Sequence, residues 1–240
     1  MNTDNICGAN AVAALFAKRP DDVQRLFYLA ERKPEVGPYC AELARRKKPY
    51  RMVDGETLAK IAGTGHHGGI AAVAKSRPIP IFDRDNPPRL TFLLVLDGIG
   101  NPHNFGAIAR CAAYFRVPGL LIGEAPGNAM PSDAAYRTAE GGLEHLLLFR
   151  TRDLPAALTA LQPFYRTVAA ALDPEAAPLS ALPRDRAVAL VLGNEERGIS
   201  PDVLAACRRR IRIEGSGRVQ SLNVAQAAAV FLHALAGSPG

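Results

Sequence analysis

The chain has no tryptophan, four cysteines and no lysine beyond Lys75. The cysteines (Cys7, Cys40, Cys111 and Cys207) stand far apart and form no Cys-x-x-Cys pair. That spacing argues against a metal site and against a disulfide framework, and it fits reduced thiols in a cytosolic protein. No apolar run approaches the ~18 residues of a membrane span. The opening MNTDNICGAN lacks the basic start and apolar core of a signal peptide. There is no internal repeat, and the only low-complexity stretch is a short SPG end. The expectation is a soluble, cytoplasmic protein with no metal and no membrane contact.

The 240 residues, 48% hydrophobic and 22% charged, suffice for one large domain or for a small and a medium one. The net charge of +6 favours a polyanionic partner, nucleic acid above all. Every basic side chain after Lys75 is arginine, which genome codon bias explains as well as RNA chemistry does.

Residues 1–75 read as a small α/β unit. GANAVAALFAK is a helix, VQRLFYLA a strand, VGPYCAELARRKK an amphipathic helix, and DGETLAKIAG a helix capped by Asp54 and ended by Gly63. GGIAAVA is a last strand. Residues 76–89 carry four prolines and mixed charge, the composition of a linker. Residues 90–240 then alternate apolar runs (TFLLVLD, VPGLLIG, HLLLFR, RTVAAAL, RAVALVLG, RRIRIEG) with helical segments, ending in NVAQAAAVFLHALAG. That alternation predicts a mostly parallel sheet covered on both faces.

Three segments set small or amide residues where a strand hands over to a loop or helix, the place where α/β proteins build sites. In the first, DGIGNPHNFGAIAR, Gly98 and Gly100 permit a turn, Asn104 is placed to cap a helix, and Arg110 follows on that helix. The spacing is not GxGxxG, so a dinucleotide fold is disfavoured. In the second, LGNEERGIS, Gly193, Asn194, Glu195 and Glu196 follow a buried strand. Most acidic pairs are simply exposed, but this position favours a role at a site for one of them. In the third, IRIEGSGRVQSLNVAQAAAV, Ile213 ends a strand, Ser221, Leu222 and Asn223 precede a helix, and Asn223 is a natural N-cap. The helix is alanine-rich, so a neighbouring backbone or another subunit must approach it closely.

Together these segments resemble the three motifs of the SpoU-type (TrmH-type) RNA 2′-O-methyltransferases of the SPOUT class. The NxxNxGAIxR, LGNExxG and SLNV cores occur in the family's order. Residues 6–75 resemble the family's small RNA-binding domain. The resemblance implies a parallel-sheet catalytic domain with a C-terminal trefoil knot, preceded by that small α/β domain. It also implies S-adenosylmethionine as methyl donor, rRNA or tRNA as substrate rather than DNA, and a homodimer with its site at the subunit interface. Carried over by position, Gly193, Asn194, Ile213 and Leu222 would contact the cofactor. Asn104, Arg110, Glu195, Ser221 and Asn223 would be catalytic. An arginine is often assigned as the family's base, yet Arg stays protonated in proteins. A guanidinium holding the phosphate beside the target ribose is the alternative role for Arg110.

Two departures from the family pattern stand out. Ala225 and Gln226 follow SLNV where a hydroxyl is usual, and His66-His67-Gly68-Gly69 replaces a histidine-glutamine-glycine element. The basic run Arg45-Arg46-Lys47-Lys48 either grips phosphates or answers its helix dipole. Two other readings compete with the enzyme: a catalytically silent RNA-binding or ribosome-assembly scaffold, and an unrelated nucleotide-binding α/β enzyme. Retention of Asn104, Arg110, Ser221 and Asn223 disfavours the first, and the lack of a phosphate-loop glycine pattern disfavours the second.

Overall fold

The computed structural model describes residues 2–173, 175–183 and 185–236. The N-terminal stretch runs β1 (Thr3–Cys7), α1 (Ala9–Lys18), β2 (Val23–Tyr28), α2 (Lys33–Arg45), β3 (Tyr50–Met52), α3 (Gly55–Ala62) and β4 (Ile70–Lys75). There follow β5 (Phe92–Asp97), α4 (Pro102–Tyr114), β6 (Gly119–Gly123), α5 (Asp133–Ala139), β7 (Leu147–Thr151), α6 (Leu154–Leu161) and β8 (Arg166–Ala170). The chain continues with β9 (Ala177–Pro178), β10 (Val188–Gly193), α7 (Pro201–Ala205), β11 (Arg209–Arg212) and α8 (Val224–Leu235). The short elements β1, β3, β9 and α7 go beyond the sequence expectation. Among the described residues no helix is long and apolar enough to cross a membrane.

Two compact units result. One takes the chain through Pro78 together with Pro131–His145; the other takes Ile79–Met130 and the chain from Leu146 onward. The first holds a four-stranded sheet in the order β1-β4-β2-β3, with β4 antiparallel to β1 and β2, and β3 parallel to β2. Val12 and Leu15 of α1 and Val36 and Leu43 of α2 are buried in its core, and Phe16 stacks on Tyr39 with ring centroids 4.5 Å apart. Asp54 accepts the Thr57 N–H at 2.7 Å to start α3, and Gly63 ends it at φ 64°, where a β-carbon is unfavourable. Leu58 and Ala62 of α3 pack with Cys7 and Ala71.

Pro131–His145, which the sequence reading places in the later domain, belongs to this first unit by its contacts. Asp133 accepts the Asn5 backbone N–H at 2.8 Å and its side-chain amide at 3.1 Å. Gly141, at φ 92°, lies so close to α1 that an added β-carbon would meet Ala14 at 2.8 Å and the Asn10 carbonyl at 2.9 Å. Arg19 grips Glu144 with two parallel N–H···O bonds of 2.8 and 2.9 Å and donates a third, of 2.7 Å, to the Lys75 carbonyl. The Glu144 side chain is 2% exposed and that of Arg19 11%. Burial also raises the Tyr136 hydroxyl pKa well above the ordinary phenol range, so it stays neutral beside this pair.

The second unit is a seven-stranded sheet in the order β7-β6-β5-β10-β8-β11-β9, and every recorded pairing is parallel. Its central strands FLLVLD and VALVLG are buried almost throughout, as two covered faces require. Leu93, Val95, Ala189 and Val191 pack on one side with Leu154, Leu158 and Leu161 of α6 and Val203 of α7. On the other side α8 packs on β10, and α4 packs on α8. The neighbour that the alanine-rich helix requires is therefore, at least in part, α4. The proline-rich stretch after Pro78 is docked rather than free. Phe82 is buried in the second core, and its N–H meets the Arg150 carbonyl at 2.8 Å. The Tyr165 hydroxyl donates to the Pro88 carbonyl at 2.5 Å. Prolines suit such an edge because they leave no N–H unsatisfied.

Glu144→Gln keeps the shape of the buried pair and leaves the Arg19 charge only the longer, 3.5 Å contact to the more exposed Asp22. Removing one partner of a buried pair costs about 3 kcal/mol or more. Urea unfolding of the full chain should show a loss of that order, and an unchanged midpoint would mean that the pair contributes nothing.

Candidate functional site

β5 and β10 lie side by side in parallel, Phe92 opposite Val188 and Asp97 opposite Gly193. From β5 the sheet builds outward through β6 and β7, and from β10 through β8, β11 and β9. The crevice at the carboxyl ends of β5 and β10 is thus a topological switch point, the place where open α/β sheets bind ligands. The first motif leaves β5 there and the second leaves β10.

The first motif makes a turn at Gly98, φ 75°, and enters α4 through Asn101, whose side chain accepts the His103 N–H at 2.8 Å. Asn101, not Asn104, is therefore the cap. Asn104 sits within the first turn, and its amide does other work. Its Nδ2 donates to Glu195 Oε1 at 2.5 Å, and its Oδ1 accepts from Asn223 Nδ2 at 3.2 Å. One residue from each motif, 91 and 119 positions from Asn104, meets at this amide. Asn223 also caps α8 as the sequence suggests, its Oδ1 accepting the Ala225 N–H at 2.9 Å. The amide orientations follow from this arrangement: only a donor can face the Glu195 carboxylate, so the Asn104 oxygen faces Asn223.

The second motif is a tight reverse turn. Asn194 and Gly198 exchange backbone hydrogen bonds of 3.0 Å. The Asn194 side chain accepts the N–H groups of Glu196 and Arg197 and donates to the Gly98 carbonyl at 2.7 Å. Asn194 thus clamps the second motif to the first with both ends of its amide. A β-carbon on Gly193 would lie 2.4 Å from the Gly198 carbonyl carbon and the Ile199 nitrogen, so no other residue fits there without moving the backbone. Asp97 ties down the far side of the loop by accepting the Ser200 N–H at 2.7 Å. Burial, with help from the Asp97 carboxylate, pushes the nearby Cys207 thiol pKa up to about 12, which removes it as a nucleophile.

In the third motif β11 stops at Arg212, one residue before the expected Ile213. Ile213 is half-buried. Ser221 is exposed, as are the apolar Leu222 at 45% and Val219 at 73%. Large apolar side chains held in water beside clustered polar groups mark a surface built to be covered. Arg110 lies on the exposed side of α4, six residues beyond Asn104 and so roughly 120° around the helix from it. The site residues that the sequence reading overlooked are Asn101, Asp97 and the β6–β7 connection. There the Ala129 N–H reaches the Ile99 carbonyl at 2.6 Å, and the Gly127 carbonyl lies 3.2 Å from where a Gly100 β-carbon would stand. Only the strand-end position of Asp97 carried any signal. A cavity of about 680 Å³ lies elsewhere, at the amino ends of β5 and β10, lined by Arg89, Phe92, Phe164, Tyr165, Arg186 and Val188 among others.

Two substitutions probe this geometry. Gly193→Ala should destabilise the second unit by about 1–3 kcal/mol through overpacking, read as a lower thermal midpoint. Asn223→Ser keeps a cap but is too short to span to Asn104, so it should cost under about 1 kcal/mol, whereas Asn223→Ala should cost more. Equal losses for the two Asn223 variants would show that capping is not what Asn223 contributes to stability.

Comparison with known proteins places the chain. Residues 91–233 match the SpoU rRNA methylase family model and residues 5–80 the model for RNA 2′-O ribose methyltransferase substrate binding. The chain is 31% identical over 229 residues to the uncharacterized tRNA/rRNA methyltransferase YfiF of Escherichia coli O157:H7; the match covers 95% of this chain and 66% of that protein. It is 29% identical to the 23S rRNA (guanosine-2′-O-)-methyltransferase RlmB of Acinetobacter baylyi, over 94% of each chain. An AdoMet-bound rRNA methyltransferase from Sinorhizobium meliloti superposes with a TM-score of 0.79 at 22% identity, over 97% of this chain and 86% of that one, and so shares the fold. With the two family models matched in tandem and the three motifs meeting at one amide, the chain belongs to the SpoU rRNA methylase family.

Proposed function

We propose that the protein transfers a methyl group from S-adenosylmethionine to a ribose 2′-hydroxyl of rRNA or tRNA. The observation that carries this reading is the meeting of Asn104, Glu195 and Asn223 at the carboxyl ends of β5 and β10. Family membership and the rRNA methyltransferase relatives support it.

The residues present suit a sulfonium cofactor. The loops at 193–200 and 213–223 offer backbone groups, the exposed side chain of Leu222 offers an apolar contact, and the carboxylates of Glu195 and Glu196 offer negative charge. Gly193, Ile213 and Leu222 would hold the cofactor, with Asn194 acting through the turn it clamps. When bound, S-adenosylmethionine supplies a methyl group already activated on a positively charged sulfur. The protein must then position a neutral hydroxyl and manage its proton. Asn104 presents a fixed amide whose orientation Glu195 and Asn223 set. Ser221 contributes an exposed hydroxyl beside Asn223. Arg110 anchors the phosphate next to the target ribose through its planar fork, a role that suits a group that stays protonated.

The same reading extends to the assembly and the cell. The segment leading into α8 threads the knot of the SPOUT class, two copies associate as a homodimer, and the enzyme works in the cytoplasm on RNA brought by the N-terminal unit. The exposed apolar groups of Leu222, Val230 and Tyr114 support a covered surface on this side of the sheet.

Purified protein with methyl-labelled S-adenosylmethionine and unmodified rRNA and tRNA should yield nuclease-resistant 2′-O-methylated dinucleotides. No incorporation into either RNA, with cofactor binding intact, would support a silent scaffold instead. Arg110→Lys keeps the charge and loses the bidentate fork, so its turnover should fall about a hundredfold, as expected for a misplaced substrate. Near-normal turnover would sink the anchoring role.

A further inference from the structure

The basic run that ends α2 looks in sequence like a phosphate grip, yet most of its charge is spent inside the protein. Arg45 pairs with Glu42. Arg46 pairs with Asp21 and, at 2.5 Å, with Glu42. The Lys48 ammonium donates to the carbonyls of Asp21 and Val23 at 2.6 and 2.5 Å, and burial lowers its pKa. Lys48 fastens the end of α2 to the start of β2.

Three neighbouring cations are placed differently. Arg25, Lys47 and Arg51 are exposed, and among the described residues their side chains make no ion pair and no hydrogen bond. Strand register puts two of them on one face. Arg51 of β3 stands opposite Phe27 of β2, and Arg25 lies two residues before Phe27, so all three side chains project to the same side of the sheet. Tyr50 and Met52 stand opposite Leu26 and Tyr28 and project to the other side. Phe27 is half-buried and packs against the cluster of Cys7, Leu58, Ala62 and Ala71, which leaves an aromatic flanked by two guanidinium groups. Lys47 sits on the turn that delivers β3, at φ 55°. The carboxylates of this end are engaged elsewhere: Asp21 with Arg46, Asp22 with Arg19, Glu42 with Arg45 and Arg46, and Glu56 with Lys60. The strip therefore carries uncompensated positive charge along an edge strand whose outer backbone is open.

We propose that this strip, Arg25 and Arg51 flanking Phe27 with Lys47 beside them, is where the N-terminal unit grips the backbone phosphates of the substrate RNA. The proposal rests on the RNA-methyltransferase reading above. Cations without intramolecular partners are the ones free to exchange condensed counter-ions for phosphates, and an aromatic between arginines offers a stacking face for an unpaired base. The neighbouring Arg46 and Lys48 would have to break internal contacts to do the same.

The test is RNA binding by the full-length double variant Arg25→Ala, Arg51→Ala. Anisotropy titrations with labelled, unmodified transcripts of large-subunit rRNA and of tRNA, run across a series of salt concentrations, read both affinity and its salt slope. The variant should bind about tenfold more weakly or worse, with a salt slope smaller by about two. Its thermal midpoint and its calorimetric binding of S-adenosylmethionine should match the unsubstituted protein. Arg25→Lys with Arg51→Lys, which keeps the charge, should restore the slope. A double alanine variant with unchanged affinity and slope overturns the proposal while leaving the enzymatic reading intact. So does a loss of RNA binding seen only with Arg45→Ala, Arg46→Ala. If the unsubstituted protein binds the cofactor but neither RNA, the underlying RNA reading fails and the strip goes with it.

Discussion

The parallel pairing of β5 with β10 is the constraint on which the rest of the second unit depends. These strands are far apart in sequence, and their register sets Asp97 directly beside Gly193. Each strand ends at a residue that must turn away at once: Gly98 at a positive φ after β5, and Gly193 where a β-carbon would strike the Gly198 and Ile199 backbone. A slip of one residue would flip every side chain of these buried strands to the opposite face. It would also move the Asn194 amide off the Gly98 carbonyl and separate Asn104 from Glu195. The geometry of the candidate site is here a consequence of how apolar runs such as FLLVLD and VALVLG seat themselves in the core.

Much of this was legible because buried strands and capped helices leave local signatures. The apolar runs, Asp54 and Gly63 at the ends of α3, and Asn223 at the start of α8 all announce themselves within a few residues, and the structure places each as expected. The three motifs were legible as a set, and their meeting at Asn104 agrees with that reading. The identity of the α4 cap was not. Asn101 and Asn104 are both placed near the start of a helix, and only the tertiary partners Glu195 and Asn223, on distant segments, show which one is used elsewhere. The membership of Pro131–His145 was hidden for the same reason. Its anchor is an ion pair between residues 125 positions apart, and nothing local in AEGGLEH points to Arg19.

Charge runs were the least informative feature of the sequence. Arg45-Arg46-Lys47-Lys48 reads as one cluster, yet its members divide between ion pairs, carbonyl capping and open solvent. What a cation can offer a partner depends on what it already holds, and that is decided by neighbours such as Asp21 and Glu42 across the fold. Sequence shows how many charges there are, while structure shows which of them are still available.

The insertion of Pro131–His145 into the first unit has a consequence for biosynthesis. Arg19 and Asn5 leave the ribosome early, but their partners Glu144 and Asp133 are made only after β5, α4 and β6 of the other unit. At ordinary elongation rates the N-terminal unit waits roughly 3–13 s between its first segment and its last. During that time the Arg19 side chain lacks its two-bond carboxylate partner and has only Asp22 nearby, and the β1 side of the sheet lacks α5. The N-terminal unit, although it begins the chain, cannot be finished before the second sheet has been started, so during synthesis the growth of the two units is interleaved rather than strictly sequential.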